Sequence, residues 1–150
     1  GRLYWAVVGN QHARELFTLP ITQGAFWREV GVMLKWYAFL IPQPSRYVGH
    51  NPLARLGMFF GYLFIAVFML VTGFAMYGEG TQAGSWAERM FGWVIPLFGQ
   101  SQDVHTWHHL GMWGMLMFII FHIYAAVRED IMGRQSLIST MISGHRTFKQ

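Results

Sequence analysis

Two long runs of the chain contain no Lys, Arg, Asp or Glu: residues 56–78, a run of 23, and residues 104–127, a run of 24. A helix needs about 20 mostly apolar residues to cross the hydrocarbon core of a bilayer. In lipid such a run must be helical, because only a helix satisfies its own backbone donors and acceptors. The pattern therefore predicts two complete transmembrane helices, at 52–78 and 104–128.

Polar residues mark where helices should begin. Asn51 followed by Pro52 is a typical N-cap with proline at the first helical position, and Asp103 is expected to cap the second span. Between the spans, residues 85–88 (SWAE) have the capping-box pattern. They predict a short aromatic helix that stops before Pro96.

The segment 25–41 has a different pattern, in which polar residues share one narrow face and apolar residues surround it. The polar positions are Arg28, Gly31 and Lys35, and the apolar ones are Trp27, Val30, Leu34 and Phe39. This pattern predicts an amphipathic helix lying along the membrane surface, with a partly buried loop helix as the alternative. Residues 136–143 predict a short surface helix closed by Gly144.

The composition supports a membrane protein: 53% of the residues are hydrophobic and only 12% are charged. An average soluble protein has about 25% charged residues. The net charge of +4 comes from basic residues spaced along the chain, which argues against nucleic acid as a partner and leaves membrane lipid. The absence of cysteine excludes disulfides and thiolate metal sites within this sequence.

The distribution of Lys and Arg predicts the orientation. Arg89 is the only basic residue in loop 79–103, whereas basic residues are frequent before the first span and after the second. The positive-inside rule therefore places this loop outside the cytoplasm and both ends inside. The predicted layout is a single membrane domain over residues 1–150. Its segments are the end of a truncated transmembrane helix (1–9), a cytoplasmic loop with an interfacial helix (10–50), the two spans, and a cytoplasmic tail (129–150).

The histidines of the second span carry the candidate chemistry. His108 and His122 are 14 residues apart, which is nearly four helical turns and about 21 Å, so both project from similar sides. Neutral imidazole is a good axial ligand for haem iron, and this spacing suits two haems stacked across the two leaflets. The alternative for each histidine is a hydrogen-bonded packing residue, although ionisable groups inside a membrane are usually functional.

Nearby residues suggest further roles. His105 and Arg128 are candidates to contact haem propionates, as is Arg55, for which membrane anchoring is the plainer interpretation. His105 with His108 or His109 has the spacing of a metal site, which is a weaker alternative. Small residues at Gly111 and Gly114 would let either a porphyrin or a neighbouring helix approach, whereas Gly57 and Gly61 predict helix packing.

Several segments together resemble the cytochrome b subunit of nickel–iron hydrogenases. Residues 103–113 (DVHTWHHLGMW) and 122–132 (HIYAAVREDIM) closely resemble the last span of that family. Residues 2–10 (RLYWAVVGN), 49–52 (GHNP) and 72–77 (TGFAMY) resemble it as well. The similarity covers nearly the whole sequence.

The resemblance implies an all-α integral membrane protein: a four-helix transmembrane cytochrome b bundle with interfacial helices and two b-type haems, each held by two histidines. His108 and His122 match one ligand of each haem. The resemblance also implies the path of the electrons. They pass from the iron–sulfur clusters of the hydrogenase small subunit to membrane quinone, and the small subunit is bound to the large subunit. This sequence departs from the family because the first helix and most of the second, which supply the opposite ligands, are missing.

Two other functions remain open at this stage. One is a cofactor-free membrane anchor for a partner enzyme, which the missing helices favour and the paired histidines oppose. The other is the cytochrome b subunit of a formate dehydrogenase-type complex, which the histidine spacing alone does not separate from a hydrogenase subunit. A catalytic site of its own is not expected, because the sequence offers no nucleophile–base pair and no buried carboxylate pair.

Overall fold

The computed structural model of the chain describes residues 1–9, 11–43, 47, 50–133, 138 and 144. Within this part, all regular secondary structure is helical, which confirms the all-helical fold class. The helices, in chain order, are α1 (Arg2–Val8), α2 (Gln11–Arg14), α3 (Gly24–Tyr37), α4 (Pro52–Leu56), a π-helical segment (Gly57–Phe64), α5 (Ile65–Glu79), α6 (Trp86–Phe91), α7 (Val94–Phe98) and α8 (Ser101–Ile131). Apart from Ile138, the surface helix predicted at 136–143 lies outside the described residues.

Both predicted spans are long helices in the structure. The first runs without a break from Pro52 to Glu79 over 28 residues, through α4, the π-helical segment and α5. The second is α8, with 31 residues. Each is long and apolar enough to cross a membrane, and few of its residues are buried within this chain.

The start of the first span is as predicted, but the start of the second is not. Oδ1 of Asn51 accepts from the backbone N–H of Ala54 at 2.7 Å, and Pro52 is the first helical residue. The prediction that Asp103 caps the second span is wrong, because α8 already begins at Ser101. Asp103 lies in the first turn, where its charge still complements the helix dipole. The turn before it is made by Gly99, whose φ of +109° is rarely adopted by other residues.

The chain divides into two compact units, Gly1–Phe59 with Ile119–Gln150, and Phe60–Phe118. In the first unit, α3 spans a shorter range than the predicted 25–41 and buries a different face from the one expected. Its buried residues are Phe26, Val30, Met33 and Trp36. Trp27 and Leu34, which the pattern grouped with Val30, are about half exposed. The helix therefore packs by one stripe and leaves Trp27 and Leu34 facing outward beside it.

The helix α3 ends early because the chain reverses at Phe39, which has a φ of +61°. The N–H of Leu40 donates to the carbonyl of Lys35 at 2.8 Å and that of Phe39 to Trp36 at 3.0 Å, which is the Schellman pattern of helix termination. Glycine normally occupies this left-handed position, so Phe39 carries backbone strain. The guanidinium carbon of Arg128 lies 4.0 Å from the Phe39 ring centroid, a cation–π contact that offsets part of this strain.

Arg128 also satisfies the carbonyl groups that α3 leaves open at its end. It is 5% exposed, and it donates to the carbonyl oxygens of Trp36 at 2.7 Å and Tyr37 at 2.9 Å. A third bond runs to the hydroxyl of Tyr124 at 3.0 Å. A cation at a helix C-terminus is favoured by the helix dipole, so Arg128 acts as a cap supplied by α8.

The next residue of α8, Glu129, is also buried, and it too contacts the C-terminal end of α3. Its Oε1 accepts from the Tyr37 hydroxyl at 3.0 Å and from the side-chain amide of Asn51. Burial, and then the nearby Glu129 carboxylate, raise the pKa of Tyr37 above its ordinary value. The Tyr37 hydroxyl therefore keeps its proton and remains the donor in this pair.

In the second unit, α6 and α7 pack on α5 around a small core of Ala75, Val94 and Val104. Phe74 of α5 stacks on Phe91 of α6 with ring centroids 5.2 Å apart. Glu79 at the end of α5 accepts from the hydroxyl of Ser101, the first residue of α8, at 2.5 Å. The segment between the spans is therefore held against the helix that precedes it.

The predicted capping at Ser85 is present, and the short helix that it starts, α6, ends before Pro96 as predicted. Oγ of Ser85 accepts from the N–H of Glu88 at 3.3 Å, while the Glu88 carboxylate accepts from the N–H of Gly84. After α6 ends at Phe91, the helix α7 includes Pro96 as its third residue. Proline is tolerated there because the first turn of a helix has no partner for its N–H groups.

Gly78 is the position where α5 and α6 approach most closely. A Cβ at Gly78 would lie 2.8 Å from the backbone N of Glu88 and 2.9 Å from the carbonyl C of Ala87. We expect Gly78→Ala to push α6 away and to destabilise the protein by about 1–3 kcal/mol, the usual cost of overpacking. Thermal unfolding in detergent measures this loss.

Gly80 provides the matched control for Gly78→Ala. A Cβ at Gly80 would be in ordinary contact, 3.7 Å from the carbonyl of Tyr77. We expect Gly80→Ala to leave the unfolding temperature nearly unchanged. Equal losses for the two variants would contradict a specific α5–α6 contact at Gly78.

Candidate functional site

The most complete candidate site lies around His108 in the second unit. His108 is on α8 and only partly exposed, and its Nδ1 is 2.8 Å from Oγ1 of Thr72 on α5. Thr72 is 1% exposed, so water does not compete for its hydroxyl. The contact links the two spans through polar side chains in an otherwise apolar region, and it fixes one edge of the imidazole.

The Thr72 hydroxyl is itself held by its own helix. Oγ1 lies 2.8 Å from the carbonyl oxygen of Phe68 and 3.4 Å from that of Met69. Threonine within a helix commonly donates to the carbonyl four residues earlier. The position of Oγ1 is therefore set by the backbone of α5, and the imidazole is oriented by a rigid element.

Beside this pair, Gly73 of α5 faces the edge of the His108 ring. A Cβ at Gly73 would lie 3.5 Å from Cε1 of His108, the ring carbon between the two nitrogens. Gly73 also borders a groove of about 360 Å³, which falls in the usual range of roughly 300–1,000 Å³ for cofactor sites. The groove is lined by Met69, Leu70, Gly73, Phe74, Tyr77 and Trp86.

The contacts that an added Cβ would make show which glycines of the two spans lie against a neighbouring side chain. A Cβ at Gly111 would lie 2.7 Å from Sδ of Met69, and one at Gly114 would lie 3.3 Å from Cδ1 of Ile65. At Gly61 an added Cβ would collide with the ring of Phe118. These three glycines serve close packing within the second unit. A Cβ at Gly57 would meet nothing within 4 Å among the described residues, so the packing predicted for Gly57 stays a prediction.

The other histidines of α8 are more exposed than His108. His122 is exposed in the first unit, and His105 and His109 are exposed near the start of the helix. In the part of the chain that the structure describes, no three His, Cys, Asp or Glu side chains converge as a metal site. The structure therefore gives no support to a metal shared by His105, His108 and His109. The roles of His122 as a ligand and of His105 as a propionate contact stay predictions.

The two arginines considered for propionates have protein partners. Arg128 is buried against the end of α3, as described above. Arg55 donates from Nη2 to the carbonyl oxygen of Thr18 at 2.6 Å. A propionate contact by Arg128 stays a prediction, and it would have to compete with two backbone carbonyls for the same guanidinium.

The residues around His108 fit a haem. A metal-binding histidine usually donates its second ring N–H to an oxygen, which orients the ring. Thr72 supplies such an oxygen. The groove beside Gly73 is not lined by His108 itself, but its apolar, aromatic lining suits the faces of a porphyrin. Sequence reasoning missed the roles of Thr72 and Gly73. The signal in the sequence was that Thr72 is the single threonine of the uncharged run 56–78. It follows Phe68 by four residues, so its hydroxyl can bond the Phe68 carbonyl.

The profile of the family described as prokaryotic cytochrome b561 matches residues 1–144. The chain is similar to proteins named probable Ni/Fe-hydrogenase B-type cytochrome subunit. It is 70% identical over 149 residues to the one from Cupriavidus necator, covering 99% of this chain and 61% of the relative. It is 62% identical over 149 residues to the one from Azotobacter vinelandii, covering 99% of this chain and 62% of the relative.

A more distant relative is the probable Ni/Fe-hydrogenase 1 B-type cytochrome subunit of Escherichia coli strain K12. It is 46% identical over 152 residues, which cover 99% of this chain and 63% of that protein. The chain thus spans about three fifths of the length of these relatives. No solved structure matches it. The matches confirm the resemblance found in the sequence, and since the family profile covers almost the whole chain, the protein belongs to the prokaryotic cytochrome b561 family.

Proposed function

We propose that the chain is part of a haem b electron-transfer subunit that passes electrons from the iron–sulfur clusters of a membrane-bound nickel–iron hydrogenase to the quinone pool. The relatives named as B-type cytochrome subunits of Ni/Fe hydrogenases support this assignment. The observation that carries it is the imidazole of His108, held by a buried hydroxyl beside an apolar groove. The hydrogenase small subunit is the direct partner of this chain, and catalysis takes place on the large subunit of the hydrogenase.

In this proposal His108 and His122 are axial ligands of two different haems. Haem b, when bound, supplies one-electron chemistry at its iron. The chain orients the His108 imidazole through Thr72 and keeps a side chain out of the groove at Gly73. The lining of the groove is apolar and aromatic, and a bound haem would cover it. The second ligand of each haem would come from the helices that complete a four-helix bundle.

The proposed location is the bacterial inner membrane, with the loop between the spans outside and the tail in the cytoplasm. The support is the distribution of basic residues, with Arg89 alone in the loop. His108 would then lie on the hydrogenase side and His122 nearer the cytoplasm. Arg128 and His105 are kept as candidate propionate contacts within the same arrangement.

The experiment that tests the proposal is a reduced-minus-oxidised optical spectrum of the full-length protein, with the haem extracted and counted. We expect a b-type spectrum and two haems per chain. A protein without haem would contradict the proposal and leave a cofactor-free membrane anchor. A b-type protein that transfers electrons with formate dehydrogenase but not with hydrogenase would contradict the proposed partner.

His122→Ala in the full-length protein is expected to remove one haem and to leave membrane insertion intact. The reason is that the substitution removes an imidazole ligand from an exposed position without adding charge to the span. The matched control is His12→Ala, which lies outside the spans and should keep the haem-to-protein ratio. An unchanged ratio in His122→Ala would contradict the ligand assignment.

A further inference from the structure

The protons shared by Thr72 and His108 can be placed from the groups around them. Oγ1 of Thr72 is 2.8 Å from Nδ1 of His108 and also 2.8 Å from the carbonyl oxygen of Phe68. A threonine hydroxyl has one proton, so it donates to one of these two atoms. The two choices leave the histidine in different tautomers, and only one of these can bind a metal through Nε2.

In the first choice the hydroxyl donates to Nδ1. The ring proton must then be on Nε2, and Oγ1 faces the Phe68 carbonyl with lone pairs on both oxygens at 2.8 Å. That contact is repulsive, and Thr72 is 1% exposed, so water does not relieve it. A buried polar contact left unsatisfied in this way is disfavoured, because the lost hydrogen bond to water is not replaced.

In the second choice the hydroxyl donates to the Phe68 carbonyl and accepts from Nδ1–H. Both 2.8 Å contacts are then hydrogen bonds, and the carbonyl of Met69 at 3.4 Å adds a second weak acceptor on the same side. Every short contact of Oγ1 is attractive in this arrangement. It leaves the lone pair of Nε2 free.

We propose that Thr72 is a positioning residue that fixes His108 as the Nδ1–H tautomer and so leaves Nε2 to bind haem iron. This inference rests on the function proposed above and adds a residue that sets the properties of the ligand. A hydrogen bond donated by the ring N–H makes an imidazole a more basic ligand. A more basic ligand favours ferric iron, so the Thr72 hydroxyl lowers the midpoint potential of the haem at His108.

The test uses the full-length protein with Thr72→Val, which keeps the branched shape and removes the hydroxyl, and Thr72→Ser, which keeps the hydroxyl. Thr106→Val is the matched control, because Thr106 also donates to the carbonyl four residues earlier, Gln102 at 3.0 Å, but makes no bond to an imidazole. Two quantities are measured. One is the set of ring ¹⁵N chemical shifts of His108, identified by their loss in His108→Ala. The other is the midpoint potential of each haem.

We expect the ¹⁵N shifts of the wild-type protein to report Nδ1–H. Thr72→Val should change them, raise the midpoint potential of one haem and weaken retention of that haem by about tenfold, the lower range for loss of an outer-shell partner. Thr72→Ser should restore all three, and Thr106→Val should change none. The Ser rescue separates the hydroxyl from a general role of the side chain in packing.

An Nε2–H tautomer in the wild-type protein would overturn the inference, as would a Thr72→Val protein with wild-type ¹⁵N shifts and potential. Failure of the proposed function has a different signature. In that case the wild-type protein contains no haem, or His108→Ala keeps both haems, while the ¹⁵N shifts still determine which ring nitrogen carries the proton.

Discussion

Replacing His108 by Ala in the full-length protein is expected to remove one of its two haems while the chain still inserts into the membrane. The substitution deletes the imidazole that Thr72 orients beside the apolar groove. It leaves the Thr72 hydroxyl bonded to the Phe68 carbonyl at 2.8 Å, so no new unsatisfied group is buried. The cost to folding is then about one hydrogen bond, roughly 1 kcal/mol, which is small beside the loss of an iron ligand.

The measurement is the haem-to-protein ratio together with the reduced-minus-oxidised spectrum of purified protein. The control is His109→Ala, the next residue of α8, whose side chain is exposed and should not affect haem content. Loss of haem in His109→Ala but not in His108→Ala would transfer the ligand role to the neighbour. Equal haem content in both variants and the wild type would contradict the assignment of His108 as a haem ligand.

The spans could be predicted from the sequence because their signal is local. An uncharged run of more than 20 residues has few stable conformations in lipid, and the helix start at Asn51 and Pro52 depends on adjacent residues alone. The start of the second span was misplaced by three residues, at 104 instead of Ser101, because both Ser101 and Asp103 are suitable polar residues. Only the turn at Gly99 decides between them.

The candidate site was predicted only in part, because some of its contacts join residues that are far apart in the sequence. The spacing of His108 and His122 can be read along one helix, so both residues were identified from periodicity. The partner of His108 is 36 residues away on another helix, and no periodicity connects the two. Likewise, the contact of Arg128 with the end of α3 joins residues 91 and 92 positions apart. Such contacts depend on how helices pack, so the sequence offered a propionate role for Arg128 and not the cap.

Arg128→Met is expected to release the C-terminal end of α3 within the first unit. The variant keeps a long apolar stem but leaves the carbonyl of Tyr37 without its donor, and it removes the positive charge beside the buried Glu129. Hydrogen bonds to charged groups contribute about 1.5–3 kcal/mol each, so we expect a loss of about 3 kcal/mol in the stability of this contact. Arg128→Lys should recover only part of it, because an ammonium cannot reach both carbonyls as a planar fork does.

Limited proteolysis of the segment that follows α3, residues 38–43, measures the release, and thermal unfolding in detergent measures the stability. The control is Arg28→Met, which removes an exposed charge from α3 itself and should leave cleavage slow. Wild-type cleavage in Arg128→Met would show that the buried face of Phe26, Val30, Met33 and Trp36 holds the helix without the cap. Loss of haem without faster cleavage would instead assign Arg128 to a propionate, so the same variant decides between the two roles of this residue.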